Sequence, residues 1–203
     1  MLRYGESVFI NCPFDAPYRA LLDAIVFAVH DCGLVARSAL EIQDTGEVRL
    51  HKILGLIRRC KFGIHDISRT ELDPKTHLPR FNMPLELGLF LGAKAFGDRS
   101  QRRKVCLVLD RHRYRYTKFC SDIAGQDPAA HSNRPLRAVI VVRNWLQTHS
   151  RYLMPGGKAM AERYRLFTRA LPAMCTEAKL DPKGLIFVDY SALVVAWLKE
   201  NPW

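Results

Sequence analysis

Asn82, Glu86 and Phe90 recur at every fourth position in the stretch Asn82-Met83-Pro84-Leu85-Glu86-Leu87-Gly88-Leu89-Phe90-Leu91-Gly92-Ala93-Lys94. A helix there places an amide, a carboxylate and an aromatic ring on one face. Asn82 can cap it and Pro84 suits its first turn, where a missing N–H does no harm. The leucines, Phe90, the alanines and the glycines cover nearly the whole circumference, a pattern that predicts a buried helix. Glu86 is its only ionisable group before Lys94, and a lone buried carboxylate is costly unless something uses or satisfies it. Two readings follow. Glu86 acts on a ligand, or it is a structural carboxylate satisfied by an arginine or by backbone amides. Gly88 and Gly92, four apart, predict close approach of a neighbouring backbone on the opposite side.

The elements that must position this helix alternate between strand and helix. Apolar runs predict strands at 7–12, 34–37, 61–67 (weakened by Gly63), 104–109 and 184–188. Helical spacing predicts helices over 18–32, 48–60, 82 onward, 135–149, 158–179 and 192–199, with basic residues outward on the second. Residues 110–133 are long, polar and irregular, a length that signals function. This alternation argues for an α/β fold: a flavodoxin-like three-layer domain whose five-stranded parallel sheet has order 2-1-3-4-5 and helices on both faces. The whole chain, 1–203, is read as a single domain, its pattern weakest beyond about residue 150.

In such a sheet ligands bind beyond the carboxyl ends of the strands. The strand ends deliver Asn11, Phe14 and Asp15, then Arg37, then Asp66, Ser68 and Arg69, then Asp110 and Arg111, to the edge where the Asn82–Glu86 helix begins. The edge thus gathers carboxylates, arginines and two possible stacking rings, Phe14 and Phe90. Arg37, Asp66, Asn82 and Glu86 are expected to converge in one pocket there. His131, in Asp127-Pro128-Ala129-Ala130-His131, is read as a solvated loop histidine ahead of a catalytic one.

Composition bounds the rest. Hydrophobic content of 48% and charged content of 25% are ordinary for a globular protein, and no apolar run is long enough to span a membrane. The start of the chain shows no signal peptide, and six cysteines without a C-x-x-C pair read as free thiols, so a cytoplasmic location is expected. The formal charge of +11 is densest over 99–118, where Arg111-His112-Arg113-Tyr114-Arg115-Tyr116 interleaves arginine with tyrosine as single-strand binders do. A phosphate-bearing small molecule is favoured over nucleic acid, because no nucleic-acid motif is present. The first strand–helix turn has no glycine to cradle a pyrophosphate, no cluster has metal-ligand spacing, and there is no G-x-S-x-G elbow. No metal and no cofactor are expected.

Three segments together carry a resemblance over about residues 7–110. Val8-Phe9-Ile10-Asn11-Cys12-Pro13-Phe14-Asp15, Phe62-Gly63-Ile64-His65-Asp66-Ile67-Ser68 and Pro84-Leu85-Glu86-Leu87-Gly88-Leu89 with Gly92-Ala93-Lys94 resemble two related families, the nucleoside 2-deoxyribosyltransferases and the TIR-like domains. The first resemblance implies that Glu86 matches the glutamate of a Glu-Leu-Gly helix and Asp66 the substrate-binding aspartate. The second implies that Glu86 is the catalytic glutamate of an NAD-cleaving enzyme and that the loop after Arg37 closes over the nucleotide. Two departures stand out: the Trp-Cys pair that often precedes the TIR glutamate is Met83-Pro84, and the Arg-Asp-x-x-Pro-Gly loop is missing.

Both lines lead to N-glycosidic bond cleavage, in which a fixed carboxylate stabilises positive charge building on the ribose. Glu86, kept ionised by the helix N-terminus, would act at that carbon. Asn82 would hold the ribose hydroxyls, Asp66 the ribose or leaving base, and Arg37 or Arg69 the phosphates. The expected protein is an NAD hydrolase or cyclase of TIR type, with NAD as substrate rather than cofactor, forming a homo-oligomer on activation and serving bacterial antiviral defence. A nucleoside N-glycosidase or deoxyribosyltransferase is the nearest alternative. A non-catalytic signalling or nucleic-acid-binding module is the alternative of another class.

Overall fold

A computed structural model describes residues 4–41, 43–72, 77–123 and 125–203. Five strands, Ser7–Asn11 (β1), Val35–Arg37 (β2), Phe62–Asp66 (β3), Val105–Asp110 (β4) and Ala129–Ala130 (β5), form one parallel sheet in the order β2-β1-β3-β4-β5. The register pairs Val8 with Phe62 and Ile10 with Ile64 across β1–β3, and Ile64 with Leu107 across β3–β4. This is the flavodoxin-like order that the alternation of elements predicts.

Around the sheet lie Arg19–Asp31 (α1), Arg49–Arg59 (α2), Asn82–Phe96 (α3), Pro135–Gln147 (α4), Gly157–Glu177 (α5) and Phe187–Glu200 (α6). Alternating strand residues serve opposite faces. Val8, Ile10, Phe62, Ile64, Leu107 and Leu109 pack on α1, and α4, α5 and α6 belong to the same core cluster. Phe9 meets α2 and Phe90 on the other face, while Ile67 and Val108 meet Met83 and Leu87. The two helical layers are unequal. α1 is covered outside by α4, α5 and α6, so every residue from Ala24 to Val29 is fully buried.

That inequality corrects the reading of the 82–96 helix. It is α1, not α3, that is buried all round. On α3 the buried residues are Met83, Glu86, Leu87 and Phe90, whereas Leu85 is 58% and Phe96 89% exposed. Nor does Asn82 cap the helix: Phe81 holds that position without a side-chain hydrogen bond, and Asn82 is an exposed first-turn residue. A β-carbon added at Gly88 or Gly92 would meet nothing within 4 Å, so neither glycine admits a neighbouring backbone. The close approach occurs at Gly63 on β3, where a β-carbon would lie 2.7 Å from the Phe90 ring and from His65 Nε2.

The fifth strand is also reassigned. Residues 184–188 form a turn at Gly184, which donates to the Asp181 carbonyl, followed by the start of α6 at Phe187, five residues earlier than the predicted helix. The position beside β4 is taken instead by Ala129–Ala130, paired with Leu109 and Asp110 inside the segment read as irregular. A short apolar run cannot be told from a helix start by periodicity, and a two-residue strand has no period at all. Among the described residues no helix is long and apolar enough to cross a membrane, and Cys12, Cys32, Cys60, Cys106, Cys120 and Cys175 are all free thiols.

Candidate functional site

At the switch in strand order, the loop after β1 turns toward α1 and the loop after β3 toward α3 on the opposite face. The two diverge and leave a crevice at the carboxyl edge, the usual ligand position in such sheets. Residues 73–76 of the second loop lie outside the described residues. Two polar clusters flank the crevice.

The first lies on the α1 side. Strand alternation points Asp66 the same way as Phe62 and Ile64, toward α1, and its carboxylate is wholly buried. Tyr18, entering α1, donates its hydroxyl to Oδ2 at 2.5 Å, and the Ser68 amide donates to Oδ1 at 2.8 Å. His131 brings Nε2 to 2.9 Å from Oδ2, although the N–H is not aligned along that line as a hydrogen bond. The His131 Nδ1 accepts the Asn133 amide at 3.0 Å, which leaves Nε2 as the ring nitrogen facing Asp66. Burial acts to raise the Asp66 carboxyl, but His131, Ser68 and Tyr18 together hold it below the ordinary range. Asp15 accepts the Tyr18 amide at 3.0 Å and pairs with Arg69 at 2.9 Å. Tyr18, Arg69 and Asn133 line a pocket of about 290 Å³, small enough for a sugar-sized group.

The second cluster comes from the α2–α3 side. Glu86 is 7% exposed, and no hydrogen bond to its carboxylate is formed among the described residues. Burial pushes it up to about 7, with Arg49 at the start of α2 pulling the other way. Burial thus opposes the ionised form that the helix N-terminus and Arg49 favour. The Arg49 guanidinium lies 5.9 Å from the centre of the Phe14 ring, which is 37% exposed. The two clusters meet at Cys12. Burial, Asp66 and Glu86, in that order, push its thiol well above the ordinary value.

The other candidates divide. Asn11 is buried, and its amide donates to the Met83 carbonyl at 2.9 Å and meets His65 Nδ1 at 3.0 Å, so it anchors the start of α3. Ser68 contributes its backbone to Asp66, and Asn82 is exposed in the first turn of α3. Arg37, Asp66, Asn82 and Glu86 are not gathered into one cluster: Asp66 belongs to the α1 side, Glu86 to the α2–α3 side, and Arg37 to neither. Its guanidinium is bound by Glu41, with Nε 2.9 Å from both carboxylate oxygens, and it lines a cleft that includes Arg59. Arg59 and the Glu86-facing Arg49 are the two ends of α2, about 15 Å apart. His131 is fully buried rather than a solvated loop residue.

Tyr18 and Arg49 carry no sequence signal for these roles, and His131, singled out among the histidines, reads as solvated. Tyr18 reads as helix start, Arg49 as one of several outward basic residues, and His131 follows a strand too short to detect. The basic run is partly engaged as well. Arg115 donates to Asp110 Oδ1 at 2.9 Å, to Thr70 Oγ1 at 2.6 Å and to the Ser68 carbonyl, clamping the loop after β3 to the end of β4. Arg111 pairs with Glu71 and Tyr116 is buried, so half of the Arg–Tyr interleave is unavailable for stacking on bases. Among the described residues no group of three or more His, Cys, Asp or Glu side chains is placed to hold a metal ion. No family model, curated protein or solved structure matches the chain.

Proposed function

We propose that the chain cleaves an N-glycosidic bond of a nucleotide, with NAD the leading substrate and Glu86 the residue that acts at the sugar carbon. The observation that carries this reading is Glu86 itself: a nearly buried carboxyl at the strand-order switch, without a hydrogen-bond partner among the described residues and poised near pH 7. Its oxygens are not among the sealed, unsatisfied polar atoms of the described residues, so the carboxylate reaches solvent at the edge and is open to a ligand. Asp66, held ionised by its partners, supplies the contrast of two carboxyl groups driven apart in acidity by their surroundings.

When the C1′–N bond breaks, its electron pair leaves with the base and positive charge develops on the ribose. Ionised Glu86 stabilises that charge, and a water adding to C1′ gives its proton to the same carboxylate. A nicotinamide leaves neutral from its cationic form and needs no proton. Phe14 offers a face for a ring, and Arg69, one fork on Asp15, keeps donors for a phosphate. Incubating the protein with NAD and with deoxynucleosides, and following base release by chromatography, tests the proposal. Glu86→Gln should lower release at least about a hundredfold, or ~2.7 kcal/mol of transition-state stabilisation. Equal release by the variant overturns it.

A non-catalytic assembly module is the second reading, favoured by the exposed stripe Phe81, Leu85 and Phe96 along the outer face of α3. It is distinguished by absence of base release together with concentration-dependent self-association lost in Leu85→Glu.

A further inference from the structure

A second cleft, of about 1090 Å³, opens far from Glu86, where α2 ends and the 3-10 turn Gln101–Arg103 precedes β4. Its lining includes the side chains of Arg58, Arg59 and Arg103, with Gly55 on its α2 wall. Among the described residues none of these three guanidiniums forms a hydrogen bond or an ion pair. Arg37 also lines the cleft but is neutralised by Glu41. Among the described residues the one carboxylate in the lining is Asp98, engaged by the Ser100 amide at 2.7 Å, the Ser100 hydroxyl at 2.6 Å and the Gln101 amide at 3.0 Å.

Basic residues at a helix C-terminus often serve its unpaired carbonyls. Here that work is already done. Lys104, almost fully buried, donates Nζ to the Ile57 carbonyl at 2.6 Å and to the Cys60 carbonyl, and Gln101 donates to the Arg58 carbonyl at 3.0 Å. The guanidiniums of Arg58, Arg59 and Arg103 are therefore not needed by the helix end. Gly55, inside a helix, gives up stability relative to alanine, and a β-carbon there would lie 3.3 Å from Arg59 Nη2. Its bareness lets that guanidinium lie against the helix at the cleft wall, a place a longer side chain at 55 would contest.

We propose that this cleft binds a small ligand carrying adjacent phosphates. Guanidinium forks match phosphate oxygens in pairs, and three of them against one locked carboxylate leave an excess of positive charge. The volume exceeds what an oligophosphate alone needs and accommodates an attached nucleoside. This site is separate from the crevice at Glu86, and nothing in it depends on base release.

The test is titration calorimetry of the full chain with tripolyphosphate and with ATP. Saturable binding of one equivalent is expected, weakened at least about tenfold by Arg58→Gln/Arg59→Gln and by Arg103→Gln. Gly55→Gln, which changes no charge, should weaken it as well, with unchanged melting showing that each variant is folded. Lys158→Gln/Arg169→Gln, which removes equal charge from exposed positions of α5 on the other layer, should leave affinity within about twofold. Equal affinity for the two probes assigns recognition to the phosphates alone, and tighter ATP binding adds the nucleoside. The proposal is overturned if neither probe saturates, if the α5 control weakens binding as much as the cleft variants, or if Gly55→Gln binds normally. It also fails if a single-stranded oligonucleotide binds and tripolyphosphate cannot displace it.

Discussion

His131 Nε2 lies 2.9 Å from Asp66 Oδ2, joining the residue after the shortest strand to the end of the central one. This contact gives β5 a purpose that two paired residues alone do not explain. Ala129–Ala130 delivers His131 to the edge, and its amide donates to the Asp110 carbonyl at 3.1 Å, so the strand ends where the polar cluster begins.

Tyr18→Phe removes the hydroxyl at 2.5 Å from Asp66 and nothing else. Hydrogen bonds to ionised groups are worth about 1.5–3 kcal/mol, and the loss should appear in urea unfolding at pH 7. Asp66→Ala should cost more, about 2–6 kcal/mol, because it leaves a buried hydroxyl and a buried imidazole without their acceptor, at about 1–3 kcal/mol each. A smaller loss for Asp66→Ala than for Tyr18→Phe would contradict this assignment of the cluster.

Glu86 imposes its own pH dependence. Its carboxyl is raised from 4.5 to about 7, so between those values the folded chain holds a proton that the unfolded chain has released. That contribution is fully present below pH 4.5 and is lost as pH rises through 7, on the order of 3 kcal/mol. Glu86→Gln should accordingly be more stable than the parent at pH 8 and no more stable at pH 4. Base release, which needs the ionised form, should climb with pH up to about 7 and then level.

How much of this was legible in the sequence can be followed residue by residue. β1, β3 and β4 announce themselves as apolar runs because both faces of a central parallel strand are covered. Their order and the placing of Asp66 and Glu86 at one edge follow from the alternation of elements. The facing direction of each does not: Asp66 points to α1 and Glu86 arrives from α3, a distinction set by register. Arg37 falls short of the carboxyl edge because β2 ends opposite Phe9, in the middle of β1, and Glu41 holds its guanidinium beside the cleft at the Arg59 end of α2. α3 looks like a core helix in composition, yet its outer face is exposed because no further layer covers it, and composition cannot reveal a missing neighbour.

Acid should unfold the chain through its buried histidines. His65, fully buried between Phe9 and Phe90, is lowered by burial and by Lys104 to about 3. A depressed value means stability present above pH 6.5 and lost as pH falls through 3, on the order of 5 kcal/mol. Burial likewise lowers His30 to about 4, adding a loss of the same sign. Glu86 works oppositely between pH 4.5 and 7, so urea titrations of Glu86→Gln should show the histidine slope undiluted.

Two glycines should respond in opposite directions to the same change. Gly63→Ala forces a methyl to within 2.7 Å of Phe90 and His65 and should cost about 1–3 kcal/mol. Gly88→Ala, on the open face of α3, should gain about 0.5–1 kcal/mol. Calorimetric melting of both variants checks the contrast, and a stabilised Gly63→Ala would show that the ring lies elsewhere.

Cys12, at the meeting point of the two clusters, acquires a further meaning as a clock. Its thiol is 2% exposed and is driven strongly toward the protonated form, so a thiol reagent reaches it only when the edge transiently parts. Its labelling rate therefore counts local openings of the crevice, and a ligand seated there must slow that rate in proportion to its occupancy, whatever the ligand proves to be.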